Sequence, residues 1–138
     1  MVGVIIVTHA EFGETLYRAA EGIVGRQEQC LTFSVTTDNN MNAIVEALEE
    51  GIKSVDSGQG VIILTDMFGG TPSNLSLSFL GTRRLEVITG VNQPLLLKIF
   101  SNRDLPLDQL ALQAKAAGQQ GILVAGEVLK RKVADGQS

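Results

Sequence analysis

The sequence predicts an α/β fold in which a parallel sheet carries helices on both faces. Short apolar runs alternate with longer stretches of helical periodicity, the pattern that builds parallel sheets. Two of the runs, Val4-Ile5-Ile6-Val7 and Val61-Ile62-Ile63-Leu64, are apolar at successive residues, as strands buried on both faces require. Both end alike, in Thr8-His9 and in Thr65-Asp66.

Each element has its own local signal. Met1 to Thr8 reads as the first strand. Thr15 to Val24 reads as a helix, with Leu16, Ala19, Ala20 and Ile23 at helical spacing and Gly25 as its stop. Leu31 to Val35 is the second strand. Met41 to Val55 is a helix with the stripe Ile44, Val45, Leu48, Ile52 and Val55, capped by Asp38 or Asn39. The turn Ser57-Gly58-Gln59-Gly60 leads into the third strand, Gly60 to Thr65. Asp66 to Asn74 forms a loop that opens a helix reaching about Leu80. There Thr71 is the expected cap and Pro72 the first helical residue. Leu85 to Thr89 is the fourth strand. A helix begins near Pro94, another runs from Leu107 to Ala117, and Ile122 to Val124 reads as a last short strand before a polar tail from Lys130.

With 138 residues, 44% of them hydrophobic, the chain fits one domain, 1–138. Aromatics make up 4% and Trp is absent, which argues against a base-stacking surface. The net charge is −4, and Lys130-Arg131-Lys132 is the one basic cluster, so no nucleic-acid partner is expected. Cys30 is the single cysteine and His9 the single histidine, so no metal site is expected. No apolar run approaches the roughly 20 residues of a bilayer span, and no leader pattern opens the chain. The expectation is a cytoplasmic protein without direct membrane insertion.

In open sheets of this class, ligands gather beyond the carboxyl ends of the strands. If the strand order follows the flavodoxin-like 2-1-3-4-5, the first and third strands are neighbours, and His9 meets Asp66 at that edge. A lone histidine is more often a helix cap or a loop hydrogen-bonding group. Here a strand end and a matching carboxylate favour a nucleophile: Asp66 would hold one ring nitrogen and leave the other free. Gly69-Gly70-Thr71 beside them reads either as an ordinary capped helix start or as a phosphoryl cradle of free amides. The loop lacks the nucleotide-binding glycine patterns. Gly90-Val91-Asn92-Gln93-Pro94 is a second wall of the cleft or a plain turn. Met67 and Phe68 either pack inward or form an exposed patch for a protein partner. Glu11, Glu14, Arg83 and Arg84 read as surface charges.

Three pieces, "GVIIVTHAEFGETLYRAAEGIVG", "GVIILTDMFGGTPSN" and "VITGVNQPLLL", together resemble the enzyme IIA component of the mannose family of the bacterial phosphoenolpyruvate-dependent sugar phosphotransferase system. The resemblance runs from about Val2 to about Gly121. It implies a four-stranded parallel sheet of order 2-1-3-4 with a further antiparallel strand exchanged between two subunits of a homodimer. That division gives a core of about 1–121, with 122–138 as exchanged strand and tail and Ile122 to Leu129 as the exchanged segment. It implies that His9 accepts a phosphoryl group from the phosphocarrier HPr and passes it to a IIB component. It further implies that Asp66 orients His9, that Thr71 lies beside the phosphoryl group, and that no cofactor takes part. A IIC/IID permease is the implied membrane associate.

Two departures stand out. Many relatives have Gly directly after the histidine, where this chain has Ala10. Several carry a fused IIB domain, whereas this sequence runs to Ser138, so a separate IIB protein or a role as reporter of phosphorylation state is expected. Other readings are a receiver-like signalling domain phosphorylated on Asp66, a non-catalytic dimeric module, and the related dihydroxyacetone-kinase phosphotransfer subunit. "TDMFGGTPSN" favours the mannose type over the last.

Overall fold

The computed structural model describes residues 1–136. Four strands, β1 (Gly3–His9), β2 (Cys30–Val35), β3 (Val61–Thr65) and β4 (Leu85–Thr89), form one sheet of order β2-β1-β3-β4. All three pairings are parallel. The helices are α1 (Phe12–Val24), α2 (Met41–Val55), α3 (Thr71–Leu77), α4 (Gln93–Phe100), α5 (Leu107–Gln120) and α6 (Ala125–Ala134). The expected class and strand order are those observed.

Successive side chains of a strand point to opposite faces, and the apolar runs divide accordingly. Val4, Ile6, Ile62 and Leu64 pack with Ala20 of α1, Leu95, Leu96 and Ile99 of α4, and Leu110 and Ala114 of α5. Ile5, Val7, Val61 and Ile63 pack with Leu48, Ile52 and Val55 of α2, joined by Leu75 and Phe79 around α3. In β1 every residue but His9 is buried. The two central strands are thus clamped from both sides, which fixes where their carboxyl ends stand.

Local signals explain several helix ends. Gly25, at φ 90°, stops α1 and donates its N–H to Glu21 O at 2.8 Å. The cap of α2 is Asn40 rather than the expected Asp38 or Asn39; its side chain accepts from the amides of Asn42 and Ala43. α1 starts at Phe12, three residues before the expected Thr15, because the buried Thr8 hydroxyl accepts the Gly13 N–H at 2.7 Å.

The buried Arg103 ties the amino-terminal edge of the sheet together. Its guanidinium donates to Val2 O at 2.9 and 2.7 Å, Glu28 O at 2.9 Å, Gln29 O at 3.1 Å and Gln27 Oε1 at 3.3 Å. One side chain thereby holds the start of β1, the approach to β2 and the α4–α5 connection.

The carboxyl-terminal region departs from expectation. Ile122 to Val124 is exposed and pairs with no strand among the described residues, and Ala125–Ala134 is helical where an exchanged strand through Leu129 was expected. The physical reason is local. A strand needs a neighbour for its N–H and C=O groups, whereas a helix satisfies them within the segment. Ala125, Glu127, Leu129, Lys130, Arg131 and Lys132 are good helix formers. Gln137 and Ser138, the end of the expected tail, lie outside the described residues.

Candidate functional site

The register Val7↔Thr65 between β1 and β3 carries their next residues to one edge of the sheet. There the His9 amide donates to Asp66 Oδ2 at 3.1 Å, and His9 Nδ1 lies 2.8 Å from the same oxygen. The other carboxylate oxygen accepts the Met67 amide at 3.1 Å. The Asp66 side chain is 16% exposed and that of His9 49%. The carboxylate is therefore sheltered and fully engaged, while the imidazole faces solvent. Burial pushes the Asp66 carboxyl up, but the hydrogen bonds and charge of His9 outweigh burial, and its pKa is lowered overall. With Nδ1–H donated to Asp66, the neutral ring carries its lone pair on Nε2.

Nε2 faces the start of α3. A Cβ built on Gly70 would lie 2.7 Å from His9 Cε1, 3.1 Å from Nε2 and 3.7 Å from the Met67 side chain. Gly70 is thus what allows backbone to approach the free ring nitrogen. Its φ of −86° is open to any residue, so the demand is one of space. Gly69 is the opposite case. It has open space around it and a φ of +91°, which L-residues rarely adopt. Gly70 rather than Thr71 is the residue before the first turn of α3. Thr71 is already helical with Pro72 behind it, so the expected threonine cap is corrected by one position. The shift follows from the close approach to the ring, which leaves no room for a side chain at the cap.

Gly70→Ala isolates this contact. Its methyl group would displace the imidazole while the backbone remains unstrained. We expect at least a tenfold loss in any chemistry at Nε2 with a melting temperature close to that of the parent. Unchanged reactivity of His9 in this variant would show that the Gly70 side is not the reactive side.

Ala10 follows His9 at φ 47°, and its amide donates to Val35 O at 3.0 Å. The left-handed backbone is why glycine suits this position and why alanine is strained in it. The Gly90–Pro94 segment turns from β4 into α4 beside the end of β3, the Gly90 and Val91 amides both donating to Thr65 O at 2.9 Å. Asn92 caps α4 by accepting Leu95 N–H at 3.0 Å and donates to Gly118 O at 3.0 Å. Among the surface charges, Glu14 pairs with Arg18 at 2.6 Å. Met67 and Phe68 do not pack inward; both are exposed. Residues Glu86 to Gly90 together with α5 line a separate groove of about 450 Å³ whose lining does not include His9.

Sequence reasoning assigns Thr8 no role. Its signal was the repeated Thr before His9 and Asp66, since a buried hydroxyl at a strand end is well placed to cap the following helix.

Known proteins share this sequence pattern and fold. The EIIA-man family model, described as "PTS system fructose IIA component", matches residues 3–116. The chain is 31% identical over 133 residues to the fructose-specific EIIA component of the phosphotransferase system of Bacillus subtilis, covering 95% of this chain and 91% of that protein. It is 30% identical over 124 residues to the mannose-specific EIIAB component of Escherichia coli, covering 88% of this chain and 38% of that longer protein. Among solved structures, it is similar to the phosphotransferase-system EIIA of Streptococcus agalactiae, with a TM-score of 0.83, 24% identity, and 92% and 99% of the two chains covered. It is likewise similar to the IIA protein associated with the fucose utilization operon of Streptococcus pneumoniae, with a TM-score of 0.80, 27% identity, and 94% and 99% covered.

Proposed function

The chain belongs to the EIIA-man family of phosphotransferase-system IIA components, and on that premise we propose that it is a cytoplasmic phosphohistidine carrier, with His9 Nε2 as the atom phosphorylated. Membership carries a phosphotransfer role in sugar uptake. The observation that carries the finer reading is the division of labour at His9: Nδ1 bound to the sheltered Asp66 and Nε2 exposed beside Gly70.

The proposed donor is phosphorylated HPr. Nε2 attacks its phosphorus in line. The P–N bond to the donor histidine breaks as the P–Nε2 bond forms, and the donor imidazole leaves with the electron pair and is protonated. Asp66 keeps the Nδ1 proton on His9 and offsets the positive charge that the ring gains on substitution. The amides following Gly69 and Gly70, with the Thr71 hydroxyl, hold the phosphoryl oxygens. Transfer to a histidine of a IIB protein repeats the step with roles exchanged. Catalysis is by position and electrostatics. No helix among the described residues is long and apolar enough to cross a membrane, so the proposed association with a IIC/IID permease is peripheral.

The test is a relay mixture of labelled phosphoenolpyruvate, enzyme I, HPr and this chain. Label should enter only when all components are present, survive strong base and be lost in acid. Label that is lost in base would indicate an acyl phosphate on Asp66, the receiver-like alternative. The engagement of both Asp66 oxygens argues against it. No label would sink the carrier reading.

We also propose that the protein works as a homodimer. The edge strand β4 borders the 450 Å³ groove, and Ile122, Leu123, Val124, Leu129 and Val133 are all exposed beside or beyond it. A second copy offers the groove a matching apolar segment. Truncation after Gly121 should turn the dimer into a destabilised monomer or an aggregate, because it leaves the edge bare. A stable full-length monomer by light scattering at micromolar concentration would refute the dimer.

A further inference from the structure

Thr8 and Thr65 close the two apolar runs in the same way, and both are fully buried, yet their hydroxyls differ. That of Thr65 has no hydrogen-bond partner among the described residues. That of Thr8 accepts the Gly13 N–H at 2.7 Å. This bond caps α1 from a distance, because Glu11, the residue before the helix, makes no capping bond with its side chain. Gly13 is itself buried, and a Cβ there would lie 2.8 Å from Ile6 Cγ2 and 3.0 Å from Thr8 Oγ1. The first turn of α1 is thus pressed against β1, and the hydroxyl joins the two. The clasp closes a loop of four residues, His9-Ala10-Glu11-Phe12, and the nucleophile is one of them. Its neighbour is strained: Ala10 has φ 47°, a left-handed conformation that costs an L-residue energy. Strain of this kind persists only where the surroundings over-determine it. Ala10 is exposed, so hydrogen bonds rather than packing hold it there. Besides the clasp, these are His9 N–H to Asp66 Oδ2 at 3.1 Å and Ala10 N–H to Val35 O at 3.0 Å.

We infer that Thr8 is a positioning residue for His9: by clasping Gly13 its hydroxyl keeps Ala10 in the left-handed conformation, and so keeps the imidazole on Asp66 with Nε2 facing Gly70. The kinetic consequence rests on the carrier reading above; the state of the ring rests on the geometry alone. Without the clasp, the four-residue loop is free to relax at Ala10. The backbone leaving His9 turns with it, and the ring leaves the carboxylate oxygen that it shares with the His9 amide. Reactivity falls because a misplacement of about 1 Å can cost on the order of a hundredfold.

The experiment combines 15N-histidine NMR of the unphosphorylated protein at basic pH with the kinetics of transfer from phosphorylated HPr. In the parent the ring proton sits on Nδ1. Thr8→Val keeps nearly the same volume and deletes the acceptor. It should give a mixture of Nδ1–H and Nε2–H rings, and a kcat lower by at least about tenfold with KM within about twofold. Thr8→Ser, which restores the hydroxyl, should behave as the parent. So should Thr65→Val, which makes the same exchange where the hydroxyl has no partner. Glycine adopts positive φ freely, so Thr8→Val combined with Ala10→Gly should recover most of the lost rate. Ala10→Val tests the link with the clasp intact. A β-branched residue suits this backbone poorly, so this surface change should reproduce both effects, and it decides the matter should Thr8→Val fail to fold. A parent-like ring and kcat in Thr8→Val or in Ala10→Val overturn the proposal. So does a loss in Thr65→Val as large as that in Thr8→Val, or a double variant no faster than Thr8→Val. A slow Thr8→Val with its proton still on Nδ1 would make the hydroxyl a helix cap alone, and also overturn it. A parent that HPr does not label removes the carrier reading, while the ring spectra still decide the clasp.

Discussion

Asp66→Asn should slow phosphoryl transfer to His9 by about ten- to a hundredfold, corresponding to roughly 1.5–3 kcal/mol for one lost charge-assisted contact. The amide fills the volume of the carboxylate and its oxygen can accept from the His9 backbone N–H and ring Nδ1–H, although its NH2 group cannot accept the Met67 amide. It brings no negative charge to the ring as the phosphoryl group arrives. The pH dependence follows from the direction of the Asp66 shift. Its carboxyl is lowered in the folded chain, so the folded state prefers the ionised form. That contribution to stability is fully present above the ordinary carboxylate value of about 4 and is lost as pH falls through the lower folded value. The parent should therefore lose stability on acidification through this range by a component that Asp66→Asn lacks. Stopped-flow transfer rates and thermal melts between neutral and acid pH check both parts. Parent-like rates would refute the orienting role, and a collapsed melt at neutral pH would make Asp66 structural.

Arg103→Met should produce the largest loss of stability among single changes away from the site. The replacement keeps an apolar stem and deletes every donor, leaving the Val2 carbonyl without its partner in a buried place and removing the charged donor from the part-buried bonds to the Glu28 and Gln29 carbonyls, of which Gln29 O keeps the Val4 amide. One unmet buried polar group costs about 1–3 kcal/mol and lost hydrogen bonds from a charged donor add to that, so a loss of about 3 kcal/mol is expected. For a domain of this size that corresponds to roughly 10 °C in Tm. Arg103→Lys should recover little, since one ammonium cannot reproduce the planar fork that reaches several acceptors. Cys30 provides a readout. Burial pushes its thiol up to about 12, against the pull of the Arg103 charge, so it should react with thiol reagents chiefly on unfolding. An unfolding free energy from urea titration within about 1 kcal/mol of the parent would show that the clamp does not hold the sheet.

What was legible in the sequence was what local pattern controls. The β1 and β3 runs are apolar at every residue because both faces of the sheet are covered, and their shared ending placed His9 beside Asp66 once the two strands were neighbours. Gly70 was legible as a residue permitting close approach, but not that the ring of His9 is what approaches. Arg103 was illegible for a physical reason: it lies in a polar stretch, Ser101-Asn102-Arg103-Asp104, and its acceptors lie 74 to 101 positions away. Sequence windows report periodicity and caps, not such distant contacts. Ile122-Leu123-Val124 misled because β-branched residues favour strands only where a neighbouring strand supplies hydrogen bonds. The segment that follows becomes helical in the chain by itself. The sequence leaves Met67 and Phe68 open between packing and docking, since an apolar residue in a loop carries no periodicity from which its direction can be read.

The most direct measurement is the position of the phosphoryl group on the ring. The chain, labelled with 15N-histidine, is phosphorylated by phosphoenolpyruvate, enzyme I and HPr and observed by NMR at basic pH. Because His9 is the single histidine, one imidazole reports. The account predicts phosphorus coupled to Nε2, with Nδ1 protonated and hydrogen-bonded to Asp66, and no label in His9→Ala. Phosphorus on Nδ1, on Asp66 or on any other residue would contradict it.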